Sequence, residues 1–164
     1  PSGKLPETFY KKHTDCSAHA IGEFPGDTNV RYKEGVLVGY RYNDTFHVEP
    51  EFCFGHGLSY TTFSYSNASV SAKDDQTVVC CEVKNTGKVE GKETVQVYLA
   101  PKKCAENEPL QQLKGFIKTK LLGAGETERV EILVEIPKKM GVQESREKYE
   151  IRIGSSSRDV RISI

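Results

Sequence analysis

Arg129-Val130-Glu131-Ile132-Leu133-Val134-Glu135-Ile136 carries the reading that decides the fold class. Val130, Ile132, Val134 and Ile136 fall on every second position, with Arg129, Glu131 and Glu135 between them. Strand side chains alternate between the two faces of a sheet, so this run buries one face and leaves the other in water. The same period recurs on either side. Val95-Gln96-Val97-Tyr98-Leu99 offers an apolar face of Val95, Val97 and Leu99. Tyr149, Ile151 and Ile153 alternate with Glu150 and Arg152, and Val160, Ile162 and Ile164 with Arg161 and Ser163. Each run is expected to hide one face only.

Phe63 to Ala72, Gln76 to Lys84 and Leu113 to Leu121 add three more extended runs. About seven strands in about 100 residues is the count of an immunoglobulin-like or fibronectin-III-like antiparallel β-sandwich. Asn85-Thr86-Gly87 and Gly123-Ala124-Gly125 supply turn residues that tolerate positive φ. Tyr149, near the start of a late strand, stands where a tyrosine corner bonds its hydroxyl to backbone upstream. Pro137-Lys138-Lys139-Met140-Gly141 breaks the alternation and reads as a loop or a short helical turn.

Of fifteen Phe and Tyr residues, twelve lie at or before Tyr65, and all four histidines fall in the same early zone. That shift divides the chain into residues 1–58 and 59–164, the mainly β sandwich being preceded by an irregular segment. The first segment is rich in Gly, Pro and aromatics, and its apolar runs are short, as in Gly35-Val36-Leu37-Val38-Gly39-Tyr40. It has no long amphipathic helix and too little aliphatic mass for its own core, so it is expected to lean on something else.

The whole chain has 164 residues, 23 Lys+Arg against 23 Asp+Glu and 37% hydrophobic residues. Balanced charge denies it the basic face of a nucleic-acid binder, and no apolar run approaches the roughly 18 residues of a membrane span. Pro1-Ser2-Gly3-Lys4-Leu5-Pro6 shows no export signal, and the only methionine is Met140, so either an initiator was removed or the chain is a piece of a longer product. The five cysteines, Cys16, Cys53, Cys80, Cys81 and Cys104, form neither a disulfide framework nor a CxxC pair and read as reduced thiols. Cys80 and Cys81, adjacent in a strand, point to opposite faces. The missing signal and odd cysteine count lean towards the cytoplasm; a signal upstream in a parent chain would mean secretion.

Tyr32-Lys33-Glu34-Gly35-Val36-Leu37-Val38-Gly39-Tyr40-Arg41-Tyr42-Asn43-Asp44 and Phe52-Cys53-Phe54-Gly55-His56-Gly57-Leu58-Ser59-Tyr60-Thr61-Thr62-Phe63 resemble the C-terminal part of β-glucosidase-like members of glycoside hydrolase family 3. Ser2 to Phe9 resembles the stretch leading into the last strands of that family's α/β sandwich domain. Val83 to Gly87, Gly91 to Tyr98, Leu113 to Phe116, Gly125 to Thr127 and Tyr149 to Ser157 resemble its fibronectin-III-like domain. The resemblance is collinear over nearly the whole chain. Tyr10 and Cys53 stand where prolines are common in the family, and Ala124 replaces the proline of the usual Pro-Gly-Glu turn. The resemblance implies a parent that hydrolyses terminal β-linked glucosyl or similar residues with retention, its nucleophilic Asp on a barrel and its general acid Glu upstream of this chain. The catalytic domains of that parent would then be the partners, with a β-glucoside bound only in that context.

Glycoside hydrolysis needs two carboxyl groups about 5 to 9.5 Å apart across the scissile bond. Glu34, Asp44, Glu49 and Glu51 lie in the first segment, yet no motif pairs any two of them, so no catalytic residue is assigned and the chain alone is expected to be inactive. Tyr40, Arg41, Phe54, His56 and Tyr60 are the candidates for a substrate-pocket rim or a domain interface, interface packing being favoured. Tyr40-Arg41-Tyr42, read as a strand, puts both tyrosines on one face and Arg41 on the other, in a structural ion pair. The alternative function is a free-standing carbohydrate- or protein-binding module, although the absence of tryptophan leaves few platforms for sugar stacking. His13, Cys16 and His19 have ligand chemistry but no fourth ligand, and neither a metal nor another cofactor is assigned. Asn43-Asp44-Thr45 and Asn67-Ala68-Ser69 match the N-glycosylation pattern, relevant only in a secreting eukaryote. Lys114, Lys118, Lys120 and the pair Lys138-Lys139 read as solvated faces or edge protection.

Overall fold

The computed structural model describes residues 1–22, 24–26, 28–73, 76–105, 107–134 and 147–164. Among the described residues, seven strands form two antiparallel sheets: β1 Phe63–Lys73, β2 Gln76–Asn85, β3 Thr94–Pro101, β4 Gln112–Lys118, β5 Thr127–Val134, β6 Tyr149–Gly154 and β7 Val160–Ser163. The three-stranded sheet has the order β1-β2-β5 and the four-stranded sheet β4-β3-β6-β7. The four period-two runs and the three further extended runs each coincide with one of these strands. Pro137 to Gly141, Ile136 and the Lys138-Lys139 pair lie outside the described residues.

Between the sheets, Val79, Cys81 and Val83 of β2 and Val130, Ile132 and Val134 of β5 meet Val95, Val97 and Leu99 of β3 and Ile151 and Ile153 of β6. Phe63 and Leu122 close the ends of this core. Gly115 of β4 faces the opposite sheet so closely that a Cβ there would lie 2.5 Å from the Leu133 carbonyl oxygen. Asn85, fully buried at the end of β2, pins the adjoining loops: its amide donates to the carbonyls of Val89 and Leu122, and its carbonyl accepts from the Thr61 hydroxyl and the Gly87 N–H.

Cys81 enters the core while Cys80 lies buried on the other face of β2, and all five cysteines are free thiols. Burial and the neighbouring Cys80 push the Cys81 thiol up to about 11, which keeps it protonated and unreactive at neutral pH. Thiol labelling of the native chain at pH 7.5, mapped by mass spectrometry, is therefore expected to modify exposed Cys104 and to spare Cys80 and Cys81 until denaturant is added. Early labelling of Cys81 would contradict its placement.

Three sequence expectations need correction. The β3 run hides both faces, because Gln96, Tyr98 and Ala100 on its outer side are buried as completely as the core residues. The β7 run buries little: Val160 and Ile164 are exposed and only Ile162 packs on the core, since β7 is an edge strand whose pairing with β6 shifts register at Gly154. Tyr149 packs against the core, and among the described residues its hydroxyl makes no corner hydrogen bond.

Candidate functional site

What buries the outer side of β3 is the first segment. Residues 5–9 run antiparallel to residues 51–56: Leu5 N–H donates to the His56 carbonyl, Gly55 N–H to Leu5, Phe9 N–H to Phe52 and Glu51 N–H to Phe9. This ribbon lies on the four-stranded sheet through Phe54, whose carbonyl accepts from Ser157 N–H at 2.9 Å. The amide of Gln96 donates to the Ser155 carbonyl at 2.7 Å and the Gly55 carbonyl at 3.4 Å. Gly55 has φ +79°, and a Cβ there would sit 2.3 Å from Gln96 Oε1, so both its backbone and its lack of a side chain are required.

Tyr40 begins a short helix, α2, Tyr40–Thr45, the second after α1, Ser17–Ala20, rather than a strand. Three alternating residues are too few to fix a period, and a helix places Tyr40, Asn43 and Asp44 on one face at i, i+3 and i+4. That face meets the sandwich. The Tyr40 ring stacks on Phe54 at 4.7 Å and meets the edge of Tyr98 at 5.9 Å, while its hydroxyl accepts from Leu113 N–H at 2.8 Å. Thr45 Oγ1 accepts from Leu110 N–H at 2.9 Å.

Asp44, its side chain only 5% exposed, is bound from two sides. Arg158 Nε donates to Oδ1 at 2.6 Å and Gln111 Nε2 to Oδ2 at 2.9 Å. Arg158 Nη2 also donates to the carbonyls of Asn43 and Val48, and Nη1 lies 3.4 Å from Glu49 Oε2. Burial pushes the Asp44 carboxyl above its ordinary value, against the opposing pull of Gln111 and Arg158. A second ion pair, Lys4 to Glu93 at 3.1 Å, joins the start of the chain to the residue preceding β3.

Of the five candidates, Tyr40, Arg41 and Phe54 come together, lining one cavity of about 360 Å³ with Thr8. His56 lies in a neighbouring open cleft of about 550 Å³ with Leu5, Phe9, Phe52 and Leu58. Tyr60 is apart from both and 85% exposed. The expected ion pair of Arg41 is absent among the described residues: its guanidinium lies 5.9 Å from the Tyr40 ring centre, and Nε is buried with no hydrogen-bond partner. Asp44, three residues on, is already held by Arg158. Sequence reading weighed Asp44 only as a lone carboxylate and missed its pairing with Arg158, because the two are 114 positions apart and no local pattern joins them.

The other candidate chemistries also find their places. His13 and His19 meet edge to face at 5.2 Å, His19 packs on Phe24, and no group of three ligating side chains forms a metal site among the described residues. Asn43 of the first glycosylation pattern is 1% exposed. Asn67 of the second lies at the bulge in β1 with φ +52°, its amide donating to Glu82 at 2.8 Å. No helix among the described residues is long and apolar enough to cross a membrane.

Residues 93–157 match the fibronectin type III-like domain family. A β-glucosidase from Bacteroides ovatus is 48% identical over 78% of the chain and 18% of its own length. A thermostable β-glucosidase from Acetivibrio thermocellus is 50% identical over 79% of the chain and 18% of its own length. The structure of β-glucosidase 3B from Thermotoga neapolitana in complex with glucose superposes with a TM-score of 0.84 at 40% identity, over 100% of this chain and 24% of that one. The chain matches the C-terminal region of the family 3 glycoside hydrolases. A β-glucosidase from Streptomyces venezuelae in complex with D-glucose agrees equally well, with a TM-score of 0.85 at 34% identity over 100% of this chain and 22% of that one. The chain thus spans about a fifth of the length of the curated relatives it matches. The expected sandwich and family resemblance both hold, and the match extends through the first segment as well as the sheets.

Proposed function

We propose that this chain braces the catalytic domains of a β-glucosidase-like glycoside hydrolase and performs no hydrolysis alone. Residues 1–58 are the end of an α/β sandwich domain, and residues 59–164 are the fibronectin-III-like domain that supports it. In the whole enzyme the reaction is retaining hydrolysis of terminal β-linked glucosyl or similar residues, with the β-glucoside held elsewhere.

The observation that carries this reading is the division of surfaces on the first segment. One side is committed to the outer face of β3 through Tyr40, Phe54 and Gly55, while Phe9, Phe52 and Leu58 remain exposed, Leu58 at 72%. Such a strip is stabilised by cover from another apolar surface. The carboxylates support the same view: Asp44 and Glu49 share Arg158 instead of facing each other across a sugar-sized pocket. Tyr40 and Phe54 act as interface residues, and His56 lies on the strip that meets the catalytic part.

The purified chain is expected to show no turnover of chromogenic aryl β-glycosides beside a barrel-containing family member as control. Turnover that survives repurification would overturn the proposal, placing a working carboxylate pair within these residues.

A further inference from the structure

Arg41 carries hydrogen-bonding capacity that the seam leaves unused. Its Nε is buried without a hydrogen-bond partner, and among the described residues no carboxylate pairs with its guanidinium. The Thr8 hydroxyl, on a residue 8% exposed, is likewise buried without a partner. Both residues line the same cavity of about 360 Å³, together with Pro6, Tyr10, Val38, Gly39, Tyr40 and Phe54. Glu7 also lines it but does not pair with Arg41.

Two buried, unsatisfied polar groups beside one opening are costly, and a single ligand can satisfy both. A carboxylate fits: a guanidinium presents Nε–H and one Nη–H as a parallel fork to its two oxygens, and an oxygen still has a lone pair for a hydroxyl donor. We infer that the Arg41–Thr8 cavity is a socket for an acidic side chain of the protein surface that covers this face. Val38, 44% exposed at the rim, favours a polypeptide as the source. A docked chain buries Val38 and delivers the carboxylate on a methylene stem, whereas a free small acid leaves it in water. The inference rests on the bracing role and names the chemistry of the partner at this point of contact.

The test is ¹⁵N NMR of the 164-residue chain, following the Arg41 Nε–Hε signal, which is assigned by its loss in Arg41→Lys. The probes are N-acetyl-glutamate N-methylamide, the corresponding glutamine compound and acetate, at constant ionic strength. The glutamate compound is expected to shift the signal saturably in the millimolar range, at least tenfold more tightly than the glutamine compound. Thr8→Val, which keeps the side-chain shape, should weaken that response several-fold with the remaining spectrum unchanged. A shift that is linear, equal for the glutamine compound or unaffected by Thr8→Val would overturn the socket, and saturation by acetate alone would overturn its side-chain source. None of these results bears on aryl glycoside turnover, so the socket and the bracing role fail separately.

Discussion

Replacing Arg158 with Met is expected to destabilise the chain by about 2–4 kcal/mol at neutral pH, less than the full cost of breaking a buried ion pair because the Arg158 side chain is one-third exposed. The loss comes mainly from what stays behind. Asp44 keeps one hydrogen bond from Gln111 and the more distant charge of Arg152 but loses its paired guanidinium, and the carbonyls of Asn43 and Val48 each lose a donor. Burial already holds the Asp44 carboxyl above its ordinary value, so the folded state binds its proton more readily than the unfolded chain does. The stability that this group contributes is full below the unfolded value and is lost as pH rises through the folded one. Without Arg158 the folded value rises further. The deficit relative to wild type must then grow from acid to neutral pH and shrink again on acidification. Urea denaturation of both proteins at pH 7 and pH 4.5 checks this, and a deficit independent of pH would assign the loss to packing of the arginine stem instead.

Tyr40→Ala is expected to cost about 2–4 kcal/mol, near the lower part of the range for aromatic truncations because the side chain is half-buried. It removes the stack on Phe54, the edge contact with Tyr98 and the acceptor for Leu113 N–H. None of these lies between the two sheets. The change should therefore loosen the first segment while the sandwich core of Val79, Val97, Ile132 and Ile153 stays packed. Limited proteolysis is expected to cut within residues 1–58 far faster than in wild type, with β-sheet circular dichroism retained. Tyr40→Phe keeps the ring and loses only the acceptor, so its cost should fall to about 1 kcal/mol. Equal damage from the two substitutions would mean that the hydroxyl, not the ring, secures the seam.

Both predictions concern contacts outside the sandwich core, and that is where sequence reading was weakest. The strands were legible because the signal of each lies in its own contiguous run: Val130, Ile132 and Val134 alternate within one short stretch, and no distant residue is needed to read them. The family resemblance was legible for a similar reason, since its motifs are contiguous stretches kept in order. The same locality explains why Arg41 was expected to find an ion pair and Asp44 was left as an ordinary acid. The Arg41 cavity is built from residues 6–8, 10, 38–41 and 54, and the Asp44 carboxylate is held by Gln111, just before β4, and by Arg158, groups that meet only in the folded chain.

By itself the sequence determined the two-sheet antiparallel fold, the opposite facing of Cys80 and Cys81 and the match to the C-terminal region of the family, all encoded in neighbouring residues. Only the tertiary structure decided that β3 is covered on both faces, that Tyr40 starts a helix whose polar face carries Asp44 to Arg158, and that Arg41 is left unpaired. The physical reason is that strand periodicity is a property of the local backbone. The burial of a polar group and the identity of its partner depend instead on which distant surface closes over it.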